Sequence, residues 1–250
     1  MINLVLFLAG IASWTISTFA AGGGSILLVA AITTILRGHA IAPVVTCASA
    51  IASPARIILF RGHIDWIVVR WYLPGAIVGA VVGGWTFAHV SGRLIQHCIG
   101  TFLIGSLWQF RVGNRPQWFR MSLPWFVPVS FVSGLTSAVV GASGLLSNPF
   151  YLNYGLTKER MLATRAVNSI AIQLVKIAAY LAFGVLNWDL LGHGVAAGAG
   201  GAVAIWFTRP WLRRLDPGHF RKFAVSVMVL AGLLAVWQQR TWIVGLLTGR

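Results

Sequence analysis

Ten apolar runs separated by short basic loops occupy most of this chain. They fall at about 2–21, 25–36, 40–60, 67–88, 94–110, 122–140, 145–157, 161–183, 188–207 and 220–239. A membrane-spanning helix needs about 20 apolar residues, so the runs at 25–36 and 145–157 are too short to span comfortably. Only 9% of the 250 residues are charged, against roughly 25% in a soluble domain. The sequence predicts an all-α integral membrane protein with about eight full helices and two short segments.

The two short segments occupy corresponding places in two halves of the chain. Each follows a glycine-rich break, AGGGS at 21–25 and VGASG at 140–144. Each is followed by a longer run that ends in a similar pentapeptide, GHIDW at 62–66 and GVLNW at 184–188. Interrupted segments at matching positions are typical of transporter repeats. We expect one transmembrane domain over residues 1–250, with repeat 1 at about 1–115 and repeat 2 at about 120–250.

The distribution of basic residues predicts how the chain lies in the membrane. The net charge is +15, from 19 Lys and Arg against four acids, and the cations sit in loops, which disfavours a nucleic-acid partner. If both short segments cross, most cations face the cytoplasm, as the positive-inside rule requires. If the short segments only enter the membrane and return to the same side, the excess of cations on the cytoplasmic side disappears. The charges favour five crossings in each half, inverted repeats, a bacterial inner membrane and two periplasmic termini.

The run at 161–183 carries a polar stripe. On a helix of 100° per residue, Arg165, Ser169, Gln173 and Lys176 fall within 80° of one another, and Thr164 and Asn168 lie close by in sequence. Ionisable residues inside a membrane usually face a bundle interior or a watery cavity. The alternative is that Lys176 reaches the interface with a long side chain and Arg165 only anchors the cytoplasmic end. In the first half, Thr46 and Ser49 form a milder polar face that we expect to be the second wall.

The glycine-rich breaks add backbone donors to the expected site. A helix that begins inside the membrane leaves N–H groups unpaired, and its positive end favours an anion. The residues expected to contribute are Gly22, Gly23, Gly24 and Ser25 in the first half, and Ser143, Gly144, Ser147 and Asn148 in the second.

These same residues resemble the sulfite exporter TauE/SafE family of membrane proteins. The shared features are AGGGS with Thr46-Cys47 in the first half, and VGASGLLSNP with ATRAVNSIAIQLVKIAAYLAFGVLNW in the second. The resemblance covers nearly the whole chain. It implies transport of small sulfur-containing anions such as sulfite, thiosulfate or organosulfonates.

The sequence thus favours an alternating-access carrier of small anions, with the anion and the lipid bilayer as partners and a homo-oligomer left open. We expect no enzyme, no cofactor and no metal, because no paired carboxylates and no Cys/His metal spacing occur. Two alternatives are a thiol-redox conduit using Cys47 and Cys98, and a non-transporting membrane anchor subunit.

Overall fold

The computed structural model describes residues 2–19, 24–36, 38–95, 97–99, 101–102, 121–142 and 147–208. The α-helices are α1 (Ile2–Phe19), α2 (Gly24–Ile32), α3 (Ile41–Phe60), α4 (Trp66–His89), α5 (Phe126–Val140), α6 (Asn148–Asn153), α7 (Lys158–Ala182) and α8 (Trp188–Thr208). Residues 92–95 and 97–99 are helical too, and short 3₁₀ turns precede α3, α4 and α5. No strand occurs in these ranges, so the predicted all-α fold is confirmed. The run predicted at 220–239 and residues 103–110 of the run predicted at 94–110 lie outside the described residues.

Five helices in the described ranges are long and apolar enough to cross a membrane. They cover Gly38–Ala55, Trp66–His89, Leu123–Val140, Arg160–Ala182 and Trp188–Thr208. The chain is therefore a multi-pass membrane protein. The second short segment is shorter than the apolar run that predicted it: the run covers 145–157, whereas α6 is only six residues long. Gly155 follows α6 with a φ of 96°, a left-handed conformation that ends a helix and suits glycine.

The helices pair reciprocally between the two halves. The first helix of each half packs on the fourth helix of the other, as α1 on α8 and α5 on α4. The third helices do the same, as α3 on α8 and α7 on α4, and they also pack on each other. This is the pattern that the predicted duplication would produce, and the repeats themselves stay a prediction. Whether the halves are inverted across the membrane stays a prediction.

Each of the two similar pentapeptides caps the start of the helix that follows it. In GHIDW, the carboxylate of Asp65 caps α4 by accepting from the backbone N–H groups of Ile67 and Val68, each at 3.2 Å. In GVLNW, Asn187 Oδ1 accepts from the N–H of Leu190 at 2.9 Å, at the start of α8. Asp and Asn are preferred at this position because their side chains satisfy N–H groups that have no partner within the helix.

Glycines set the distance between the paired helices. A Cβ at Gly79 of α4 would lie 2.1 Å from the carbonyl oxygen of Phe131 in α5, and one at Gly194 of α8 would lie 2.4 Å from Cβ of Cys47 in α3. Small residues of this kind let membrane helices approach until their backbones touch. The packing of α4 on α5 and of α8 on α3 therefore depends on the absence of side chains there.

We predict that Gly79→Ala lowers the stability of the protein in detergent by about 1–3 kcal/mol, because the added methyl group overpacks the interface of α4 and α5. Gly192→Ala is the matched control, since a Cβ at this helical glycine of α8 meets nothing within 4 Å. Thermal unfolding of the purified variants measures both. Equal midpoints for the two variants would contradict the packing role of Gly79.

Candidate functional site

Lys176 on α7 lies entirely inside the protein. Its side chain is 0% exposed, and Nζ donates to Ser137 Oγ of α5 and to Gln173 Oε1, each at 3.0 Å. The lysine therefore does not reach out to the membrane interface. Among the described residues no carboxylate lies within 4.0 Å of its ammonium, because the one ion pair there joins Arg160 and Asp65 at 3.9 Å. Neutral groups alone hold this cation in the described part of the chain.

Helix α3 supplies the opposite wall of this cluster. Thr46 and Cys47 are 0% and 2% exposed. The Cys47 thiol lies within the range over which the charge on Lys176 acts, and the Thr46 hydroxyl lies beside Tyr180. Tyr180 in turn donates to the carbonyl oxygen of Ala138 at the end of α5. The structure thus brings the first-half threonine to the second-half stripe, as the sequence predicts.

Ser49 is the next polar residue along the same wall. It is 3% exposed, and its hydroxyl has no hydrogen-bond partner among the described residues. Helices α3 and α7 are antiparallel neighbours, with Thr46 opposite Tyr180 and Cys47 opposite Lys176. This register puts Ser49 at about the level of Gln173. A buried hydroxyl without a partner is costly, so this wall has a polar group available for a ligand.

A second polar cluster lies about two turns nearer to the start of α7. Asn168 Nδ2 donates to the Tyr151 hydroxyl at 2.8 Å, and the Tyr151 ring stacks on Tyr72 with centroids 5.9 Å apart. The Tyr72 hydroxyl lies beside Ser133 and Ser147. Both tyrosines lie within the range over which the charge on the Arg165 guanidinium acts. Asn168, Arg165 and Ser147 are therefore in one cluster, and Lys176 is in another.

Sequence reasoning missed several members of both clusters. The serines of α5 had a readable signal, since Ser130, Ser133 and Ser137 fall at i, i+3 and i+7 and all are buried. That spacing puts them on one helical face. Tyr72 and Tyr151 had no such signal, because single tyrosines in apolar runs are usual at membrane helices.

The remaining predicted residues are placed less favourably or are not described. Thr164 Oγ1 accepts from the backbone N–H of Asp65 at 2.9 Å, so this hydroxyl holds the loop before α4 rather than facing Lys176. Ser169 and Ser25 are half-buried, and Gly24 and Asn148 begin α2 and α6. Gly22, Gly23, Ser143 and Gly144 lie outside the described residues.

Lys176 also lies nearer to one end of its helix than the stripe alone suggested. It is the nineteenth of the 25 residues of α7, which run from 158 to 182, and so about 9 Å from the last residue at 1.5 Å per residue. The cluster is embedded in the membrane-spanning part of the bundle but is off-centre.

Comparison with known proteins assigns the chain to a family. The family model described as Sulfite exporter TauE/SafE matches residues 6–235. No curated protein and no solved structure matches the chain. The match spans most of the 250 residues, including every described helix that contributes to the two clusters. The prediction that the chain is not an enzyme is confirmed, because this family consists of transporters. The chain belongs to the sulfite exporter TauE/SafE family of membrane transporters.

Proposed function

We propose that this protein carries small sulfur oxyanions or organosulfonates across a bacterial inner membrane by alternating access, and that Lys176 binds the negative charge of the substrate. The observation that carries the proposal is the complete burial of Lys176 beside Ser137 and Gln173. An ammonium group that is withdrawn from water without a counter-ion is costly. A bound anion offsets this cost.

The neighbours of Lys176 fit the oxygen atoms of such an anion. Ser137 of α5 binds the lysine directly, and the buried hydroxyls of Thr46 and Ser49 lie on the wall that α3 supplies. The Thr46 hydroxyl already donates to the carbonyl oxygen of Ala42 at 2.7 Å. Hydroxyl and ammonium donors bind oxyanions through charge-assisted hydrogen bonds, which are stronger than neutral ones. We propose Ser49 as a direct ligand, because its hydroxyl has no other partner among the described residues.

The second cluster lies on the same face of α7 and supports a route to the site. Arg165 begins this face near the end of α7 that we place in the cytoplasm, and Asn168, Gln173 and Lys176 follow it along the helix. A column of polar groups inside an apolar bundle marks a substrate path more often than a packing contact. The proposed roles of Gly22, Gly23, Gly24, Ser25, Ser143, Gly144, Ser147 and Asn148 as backbone and hydroxyl donors remain predictions.

A contact between the halves supports a membrane crossing by the segment that contains α6. Asp65 pairs with Arg160 and donates its N–H to Thr164, so the loop before α4 and the start of α7 lie on the same side. The chain passes between them through α4, the run at 94–110, α5 and the α6 segment. If the first three cross, the α6 segment must cross too.

A second contact supports the same conclusion for the α2 segment. His193 Nδ1 near the start of α8 lies 2.6 Å from Asn3 Oδ1 near the start of α1, so these two ends share a side. The number of segments that cross the membrane between these two ends must therefore be even. With the α6 segment counted as a crossing, this requires the α2 segment to cross as well. We therefore propose five crossings in each half, inverted halves that rock against each other, cytoplasmic basic loops and periplasmic termini.

The two alternative functions receive less support. Cys47 is buried, Cys98 is exposed, and both are free thiols, whereas a thiol-redox conduit needs cysteines within disulfide reach. A subunit that only anchors a partner does not require a buried cation in its interior. Transport of anion by the purified protein in liposomes would exclude both.

We predict that Lys176→Met weakens anion binding by roughly 1.5–3 kcal/mol, the scale of a hydrogen bond to a charged group. Folding should be intact or improved, because an apolar side chain of similar length suits the membrane interior. Lys176→Glu should abolish transport. Calorimetric binding of sulfite, thiosulfate and methanesulfonate to the purified variants measures the effect.

Lys158→Met is the matched control, because Lys158 is the first residue of the same helix. It should leave anion binding within twofold of the parent protein. If Lys176→Met binds every anion as tightly as the parent, Lys176 does not bind the substrate and the site lies elsewhere.

We predict that a fluorescent protein fused after Arg250 stays dark and that alkaline phosphatase fused there is active, since the C-terminus is proposed to be periplasmic. Fusions after His63 should give the reverse pattern. A fluorescent fusion at Arg250 would contradict the inverted arrangement.

Coupling through an acidic side chain is not expected, so Asp65→Asn and Asp189→Asn should each retain substantial transport. Asparagine also preserves the cap that Asp65 provides to α4, whereas Asp65→Ala should cost about 1 kcal/mol of stability. Flux into liposomes and thermal unfolding distinguish the two effects. Loss of transport in Asp65→Asn at normal protein levels would show that this acid takes part in coupling.

A further inference from the structure

The charge balance around Lys176 restricts the substrate further. The titratable group near the lysine on the neighbouring helix is Cys47 of α3. Tyr180, one turn along α7, lies beside Thr46 and donates to the carbonyl oxygen of Ala138. Helix α5 contributes the neutral Ser137, and Gln173 is also neutral. Within the described part of the chain, the cluster therefore contains a single cation and no anion.

The arginines of α7 lie too far along the helix to join this cluster. Arg165 precedes Lys176 by eleven residues, which is about 16 Å along the axis, and it lies near Tyr72 and Tyr151 instead. Arg160 is further away and pairs with Asp65. Among the described residues, a ligand in contact with Lys176 and Ser137 therefore meets one positive charge.

The remaining groups can bind oxygen atoms but cannot neutralise a second charge. Ser137, Thr46 and Ser49 are 2%, 0% and 3% exposed, so water does not screen the cluster. The Ser49 hydroxyl has no hydrogen-bond partner among the described residues, so it can still form a hydrogen bond to a ligand. A ligand with one negative charge makes the cluster neutral, whereas a ligand with two leaves a buried net charge, which is strongly unfavourable.

We propose that the Lys176 site selects its cargo by net charge: it accepts singly charged sulfur oxyanions, such as hydrogensulfite and alkylsulfonates, and excludes dianions such as sulfate, thiosulfate and sulfoacetate. This inference rests on the proposed function. It narrows the substrate class from sulfur anions in general to monoanions.

A singly charged substrate such as hydrogensulfite can also carry a proton. Hydrogensulfite carries its own proton across the membrane. It releases that proton on a side where the pH is above the second pKa of sulfurous acid. No titrating carboxylate is then needed in the path. Two of the acids lie away from such a path, because Asp65 caps α4 and Asp189 is exposed in the first turn of α8.

The test is a ligand series on the purified full-length protein, measured by isothermal titration calorimetry. Methanesulfonate is a monoanion and sulfate and thiosulfate are dianions throughout the usable pH range. We expect methanesulfonate to bind and the two dianions to bind at least roughly a hundredfold more weakly. Sulfite is then titrated at several pH values without oxygen. The apparent Kd of sulfite should rise about tenfold per pH unit above the second pKa of sulfurous acid, because only the protonated fraction binds.

Methanesulfonate serves as the internal control in the pH series, because its own charge is constant and any change in its Kd reports on the protein. If sulfate binds as tightly as methanesulfonate, or if sulfite follows methanesulfonate at every pH, charge selection is wrong. The proposed function would still stand provided that Lys176→Met weakens the binding of these anions. If no sulfur anion binds, or if Lys176→Met leaves all binding unchanged, the proposed function itself is wrong.

Discussion

The burial of one ammonium group determines how the rest of this bundle is arranged. Lys176 lies at 0% exposure among apolar helices, and its Nζ is held by Ser137 and Gln173 at 3.0 Å. A cation in such a place needs hydrogen-bond acceptors around it, because an ammonium group only donates. Helix α5 brings a serine to it, α3 brings Thr46 and Cys47, and the glycines of α4 and α8 let these helices come close enough.

The same arrangement connects the two halves of the chain. The lysine belongs to the third helix of the second half and meets the third helix of the first half. At the other end of α7, Thr164 and Arg160 hold Asp65, which caps the fourth helix of the first half. The interface between the halves therefore carries polar contacts at two levels of α7, one at Thr164 and Arg160 and one at Lys176. A transporter that alternates between two states must loosen one end of such an interface at a time.

Much of this could be predicted from the sequence because membrane helices impose simple patterns. Apolar run length gave the helix bounds within a few residues, and the 3.6-residue period put Gln173 and Lys176 on the buried face while Leu174 is 59% exposed. Angle alone could not separate residues at different heights, so Arg165 was grouped with Lys176 although the two lie in different clusters. Thr164 was included because it is close by in sequence, although its hydroxyl binds Asp65. The stacked pair of Tyr72 and Tyr151 could not be predicted, because its partners come from helices far apart in sequence and meet only after packing.

Labelling of Cys47 tests most directly whether the Lys176 cluster is an anion site that opens during transport. In a Cys98→Ser protein, Cys47 is the remaining cysteine, and it lies beside the lysine. The negatively charged reagent 2-sulfonatoethyl methanethiosulfonate should modify it faster than a trimethylammonium analogue does, and methanesulfonate should slow that reaction in the parent background but not in Lys176→Met. Equal rates for both reagents, or rates that methanesulfonate does not change, would contradict the assignment of Lys176 as the residue that binds the substrate.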